Sequence, residues 1–207
     1  MSAKPQTVQD DLAFMRGLVE AGSSALPTTL GETYLAGGLC YGAQVVVQGA
    51  EALLRAPWPA WLNLAVSFGP TLVFAIALTI ILVRAPRQQP GGVAARTVGV
   101  MFGSIGLANL ALIAVIGSVA WRHKSLEIWL IYPCVVFVLQ GAAWLVAGAI
   151  RRRAWHNLVA LGWFATAIAM AVFIQTPALF ALAAGVGLIG FMAAPGYALM
   201  RLSRAQG

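Results

Sequence analysis

Residues 62–83, LNLAVSFGPTLVFAIALTIILV, contain no ionisable side chain. An α-helix rises 1.5 Å per residue, so about 20 apolar residues reach across a ~30 Å hydrocarbon core. This stretch is long enough to span a bilayer and too apolar for a surface in water. It is not alone. Runs of similar length and character occupy about 33–54, 97–121, 127–150, 155–175 and 178–200. The sequence therefore predicts an all-α integral membrane protein, with six transmembrane helices preceded by a short amphipathic N-terminal helix. Residues 1–30 read as a cytoplasmic or interfacial segment with its linker, and 31–207 as the six-helix transmembrane domain.

The composition of the whole chain agrees. Of 207 residues, 60% are hydrophobic and 9% charged, with a mean hydropathy of +0.84. Soluble domains carry roughly 25% charged residues, and a chain this poor in charge would expose an aggregating apolar surface in water. The soluble globular and disordered classes are excluded. The net charge of +7 comes from cations in the short connections between apolar runs, which sets topology and offers nucleic acid no binding face. Cys40 and Cys134 both lie inside apolar runs, so no disulfide framework is implied.

Residues 7–21, TVQDDLAFMRGLVEA, have the pattern of an amphipathic helix. Thr7 and Asp10 form a capping pair, Gly22 suits the C-terminal stop, and Val8, Leu12, Met15 and Val19 share a face. Asp10, Asp11 and Glu20 against Arg16 leave it a charge of −2. Helices that bind anionic lipid are basic, so this one is expected to pack against its own bundle or a membrane or cytoplasmic protein partner.

Lysine and arginine set the orientation. With the N-terminus inside, Lys4, Arg16, Arg84, Arg87, Arg96, Arg151, Arg152, Arg153, Arg201 and Arg204 fall on the inner side, and Arg55, Arg122 and Lys124 on the outer. Ten against three predicts a plasma- or inner-membrane protein with both termini in the cytoplasm. Trp58, Trp61, Trp121 and Trp129 then gather at the outer interface, where an aromatic belt is expected.

Three paired segments suggest an inverted repeat of three helices. Gln48-Gly49-Ala50 is matched by Gln140-Gly141-Ala142, Trp61-x-Asn63-Leu64 by Trp155-x-Asn157-Leu158, and Gly106-Leu107 by Gly187-Leu188. Transporters use such 3+3 plans, with their sites near the midplane. Chance matching in a chain rich in Ala, Gly, Leu and Val is the competing explanation.

The first helix carries a polar stripe of Gly37, Tyr41, Gln44, Gln48 and Glu51, spaced 4, 3, 4 and 3. Amides in hydrocarbon need partners across a helix interface or a wet cavity. Asn109, Tyr132 and Gln140 are the expected partners, and with Tyr41, Gln44, Gln48 and Glu51 they form the candidate ligand pocket. Interhelical hydrogen bonding that merely holds the bundle is the plainer explanation of the same stripe. Gly38-x-x-x-Gly42 and Gly99-x-x-x-Gly103 permit close helix approach within the bundle or between protomers. Pro70, Pro133 and Pro195 read as kinks. Arg151, Arg152 and Arg153 are candidate contacts for anionic lipid or an acidic partner, although such clusters most often only enforce topology.

Catalytic chemistry finds little footing. The aspartates, Asp10 and Asp11, lie outside the apolar runs, and there is no HExxH or CxxC motif. His123 and His156 fall at opposite ends of the bundle, about 30 Å apart, so one haem cannot bridge them. No catalytic residue, metal site or cofactor is expected. The sequence points to a non-enzymatic accessory, regulatory or ligand-binding membrane protein, in contact with the lipid bilayer and assembling with a partner or with itself. The alternative is a small transporter or channel for a neutral or hydrophobic solute, built on the inverted repeat.

Overall fold

The computed structural model describes residues 28–55, 58–85 and 93–204, with backbone alone at 93–96 and 204. The described elements are all helices: α1 Thr28–Leu54, α2 Ala60–Arg84, α3 Val93–His123, α4 Leu126–Arg151 and α5 Ala154–Val172. The last stretch runs on without a break as α6 Pro177–Leu188, a π-helical turn Ile189–Ala193 and α7 Ala194–Arg204. The amphipathic helix expected over 7–21 and the proline-glycine loop after α2 lie outside the described residues.

Among the described residues, five stretches are long and apolar enough to cross a membrane: Ala60–Arg84, Thr97–His123, Leu126–Arg151, Ala154–Val172 and Pro177–Ser203. All-helical over the described residues, this is a multi-pass membrane protein. α1 differs from the sequence expectation. It begins at Thr28, five residues earlier than expected, and its 27 residues have the length to span. Its composition does not match the other five, because Glu32, Gln44, Gln48, Glu51 and five glycines dilute its apolar content.

The reason for those glycines is the packing of α1 against the last stretch. A Cβ at Gly31 would stand 3.0 Å from the Gly196 carbonyl, and one at Gly42 2.7 Å from the Ile189 side chain. At Gly38 it would overlap the backbone of Ala193. Hydrocarbon gives no hydrophobic drive between helices, so close backbone approach through small residues supplies the contact. α6 likewise packs on α5, and α5 along α4. Trp144, Trp163 and Met170 fill the core between them.

The two remaining helices are peripheral. α2 lies against α1 and has no buried residue, and α3 lies against α4. α2 and α3 share no packed interface comparable to those.

Pro70 and Pro133 sit inside α2 and α4, as expected. Pro195 follows the π turn, whose Ala194 N–H donates to the Ile189 carbonyl. Proline removes one N–H and crowds the carbonyl four residues back, and the wider turn takes up the misfit. It also aims Phe191 at α5, where the ring fills the space left by Gly162.

Candidate functional site

The polar stripe of α1 meets α2 rather than Asn109, Tyr132 and Gln140, the partners expected for it. Gln44 donates to the Ser67 carbonyl at 3.1 Å and Gln48 to the Ser67 hydroxyl at 3.5 Å. Tyr41 packs on Phe74, with ring centroids 5.3 Å apart. All three contacts are on α2. Gln140, on α4, accepts from the Tyr34 hydroxyl at 2.6 Å. Tyr132 stacks on Trp129 at 5.4 Å within α4. Glu51 lies half-buried one turn beyond Gln48. Asn109 is half-buried on α3, and its Oδ1 is buried without a hydrogen-bond partner among the described residues. The candidates are thus divided among separate contacts, and Gln44, Gln48 and Gln140 each form a hydrogen bond inside the bundle.

Tyr34 was outside the expected pocket, yet it joins three helices. Besides Gln140 it meets Phe102 of α3 at 5.4 Å and Trp144 of α4 at 5.7 Å, both edge-on. A signal for it existed. Tyr34 lies three residues before Gly37, so the 4-3 spacing of the stripe extends through it by one more turn.

Trp144 leads into an aromatic cluster at the arginine-rich end of α4 and α5. Its ring lies 5.7 Å from Trp155 and 5.5 Å from His156, and the last two rings are 4.0 Å apart. His156 is buried. Its Nδ1 faces the Arg153 carbonyl at 3.3 Å, a contact that calls for the Nδ1–H tautomer. Nε2 is then left as a buried acceptor with no partner among the described residues, as are the donors Trp144 Nε1 and Trp163 Nε1. Three arginines just before this histidine suggest a solvated end, and nothing in the sequence signals its burial.

The arginines themselves form the α4–α5 turn. Arg152 holds the left-handed conformation that ends α4, with φ 51°, and Arg153 is the N-cap position of α5. Arg152 and Arg153 are exposed and Arg151 is half-buried.

Two concavities open at the ends of the peripheral helices. One, of about 280 Å³, lies between the start of α1 and the end of α2, with Glu32 and Arg84 on its wall. The other, of about 630 Å³, lies under the α3–α4 turn, walled by Trp121 and Trp129. Compared with protein-family models, with curated proteins and with solved structures, the chain matches none, so its own residues alone speak for its role.

Proposed function

We propose that the protein is a non-enzymatic accessory or regulatory membrane protein that works by holding a partner helix within the bilayer. It crosses the membrane six times, with α1 as the sixth span and both termini in the cytoplasm of a plasma or inner membrane. The observation that carries this reading is the different fate of two like motifs. On α1, the face of Gly38 and Gly42 is filled by the last helix. On α3, Gly99, Gly103 and Gly106 have nothing within 4 Å of where a Cβ would stand. Together with Leu110, 65% exposed, they share one face at spacings of 4, 3 and 4. A small-residue face of this kind is suited to a second helix, from another membrane protein or another copy of this chain.

Two further facts favour binding over turnover. The core is filled by large side chains, and Gln44, Gln48 and Gln140 form hydrogen bonds within the bundle. Photo-crosslinking from Leu107 and Leu110 in the native membrane tests the proposal. Adducts that disappear in a Gly99→Leu, Gly103→Leu double variant are expected. Adducts unchanged by it would overturn the reading.

A second reading, a transporter on an inverted repeat, is favoured by the order of packing. α1 packs on α2 and on the last helix, just as α4 packs on α5 and on α3. The correspondence breaks at one pair, since α5 packs on α6 but α2 and α3 stay apart. Flux of a neutral solute into proteoliposomes, lost on Gln44→Leu with folding intact, would decide for transport.

A further inference from the structure

α3 and α4 are joined by a two-residue turn, Lys124-Ser125, and the 630 Å³ cavity opens in the elbow beneath it. Cavities of this size suit small ligands. Gly117, Ala120 and Leu126 make its wall apolar, with Trp121 and Trp129 on either side. Gly117 makes the room: a Cβ there would stand 3.3 Å from the Trp129 ring. Trp129 is itself braced by its stacking on Tyr132. Trp121 is 85% exposed and Trp129 37%, as suits indoles at the depth of lipid headgroups.

The charge at the mouth has one sign in excess. Lys124 is the charged residue on the cavity wall, Arg122 and His123 precede it, and Glu127 in the first turn of α4 is the acid of this hairpin. The N-terminal end of α4 brings a partial positive charge to this turn and the C-terminal end of α3 a partial negative one, so the excess rests on the side chains. Lys124 is also in an unusual place. Its φ is 49°, the left-handed conformation that ends α3. Its N–H donates to the Trp121 carbonyl, and Ser125 N–H donates to that of Ala120. Glycine fills such a position with least strain. A lysine there sets a cation at the cavity mouth against the local backbone preference.

We propose that this cavity is a selective site for an anionic membrane lipid. The acyl chain lies between the tryptophans, and the phosphate meets the Lys124 ammonium at the start of α4. A zwitterionic lipid would find the same apolar walls but bring no net charge to the lysine. On α3 the site continues the face of Gly99, Gly103, Gly106 and Leu110 toward the end of the helix, two turns beyond Leu110 at Gly117.

The test uses the full-length protein in nanodiscs of equal parts phosphatidylglycerol and phosphatidylcholine, transferred to mild detergent and weighed by native mass spectrometry. The wild type is expected to retain phosphatidylglycerol in preference to phosphatidylcholine. Lys124→Gly should lower that retention about fivefold, the weight of one cation near an anionic surface, without lowering the melting temperature. Gly117→Leu, which fills the cavity, should abolish it. Should Gly117→Leu fail to fold, Lys124→Gly decides alone. Equal retention of both lipids by the wild type, undiminished retention by Lys124→Gly, or a second protein copy found in place of lipid would each overturn the proposal.

Discussion

Three described residues other than glycine have positive φ, and all three are basic: Arg55, Lys124 and Arg152. Each follows a helix C-terminus, where a cation meets the negative end of the helix dipole. The left-handed conformation costs an L-residue about 1–2 kcal/mol, more than the roughly 0.3–1 kcal/mol an exposed cation gains at a helix end, so these basic residues stand against the local preference for glycine. Lys124→Gly is accordingly expected to raise stability by about 1 kcal/mol, read as a higher melting temperature in detergent. The hydrogen bond from Tyr34 to Gln140 carries a second prediction. Tyr34→Phe leaves the rings beside Phe102 and Trp144 in place and removes only the hydroxyl. It should cost about 0.6 kcal/mol, the usual worth of such bonds between membrane helices, measured by unfolding in mixed micelles.

At the scale of the helix, identical motifs separate by what faces them. Gly38→Ala forces a methyl into the Ala193 backbone and is expected to cost about 1–3 kcal/mol by overpacking. Gly103→Ala adds the same methyl in open space and should be neutral or up to about 1 kcal/mol stabilising, from helix propensity. Parallel thermal melts of the two variants check both signs. The helices themselves were largely legible in the sequence. Length and apolarity located five spans, and the caps lie close to the expected ends: Ser125 accepts from Ile128 N–H at the start of α4. The π turn at Ile189–Ala193 was not legible beyond a proline read as a kink. Its form depends on how α1 and α5 receive the chain on either side of it.

Across the whole molecule, the outcome turns on which helices close on one another. α1, α4, α5 and the last helix form the packed centre, while α2 leans on α1, and α3 leans on α4 and touches α1 through Phe102 against Tyr34. The orientation proposed from the charge asymmetry has a direct test at this scale. A single cysteine placed at Lys124 is expected to react with a membrane-impermeant maleimide added outside intact cells. One placed at Arg152 should react only after lysis. The reverse pattern would invert the topology.

The sequence by itself determined the class of this protein, because hydrocarbon excludes charge and the scarcity of charged residues is a property of composition alone. It also determined where the helices run, since every backbone group in a bilayer must be satisfied within its own segment. Only the tertiary structure decided the meaning of the residues between. The glutamines Gln44 and Gln48 turn to Ser67 of α2, Tyr34 reaches Gln140, His156 is enclosed by tryptophans, and one glycine stripe is filled while another stays open. Periodicity assigns a residue to a face of its helix. Which neighbour meets that face depends on backbone approach and side-chain volume summed over several helices, and no single segment carries that information.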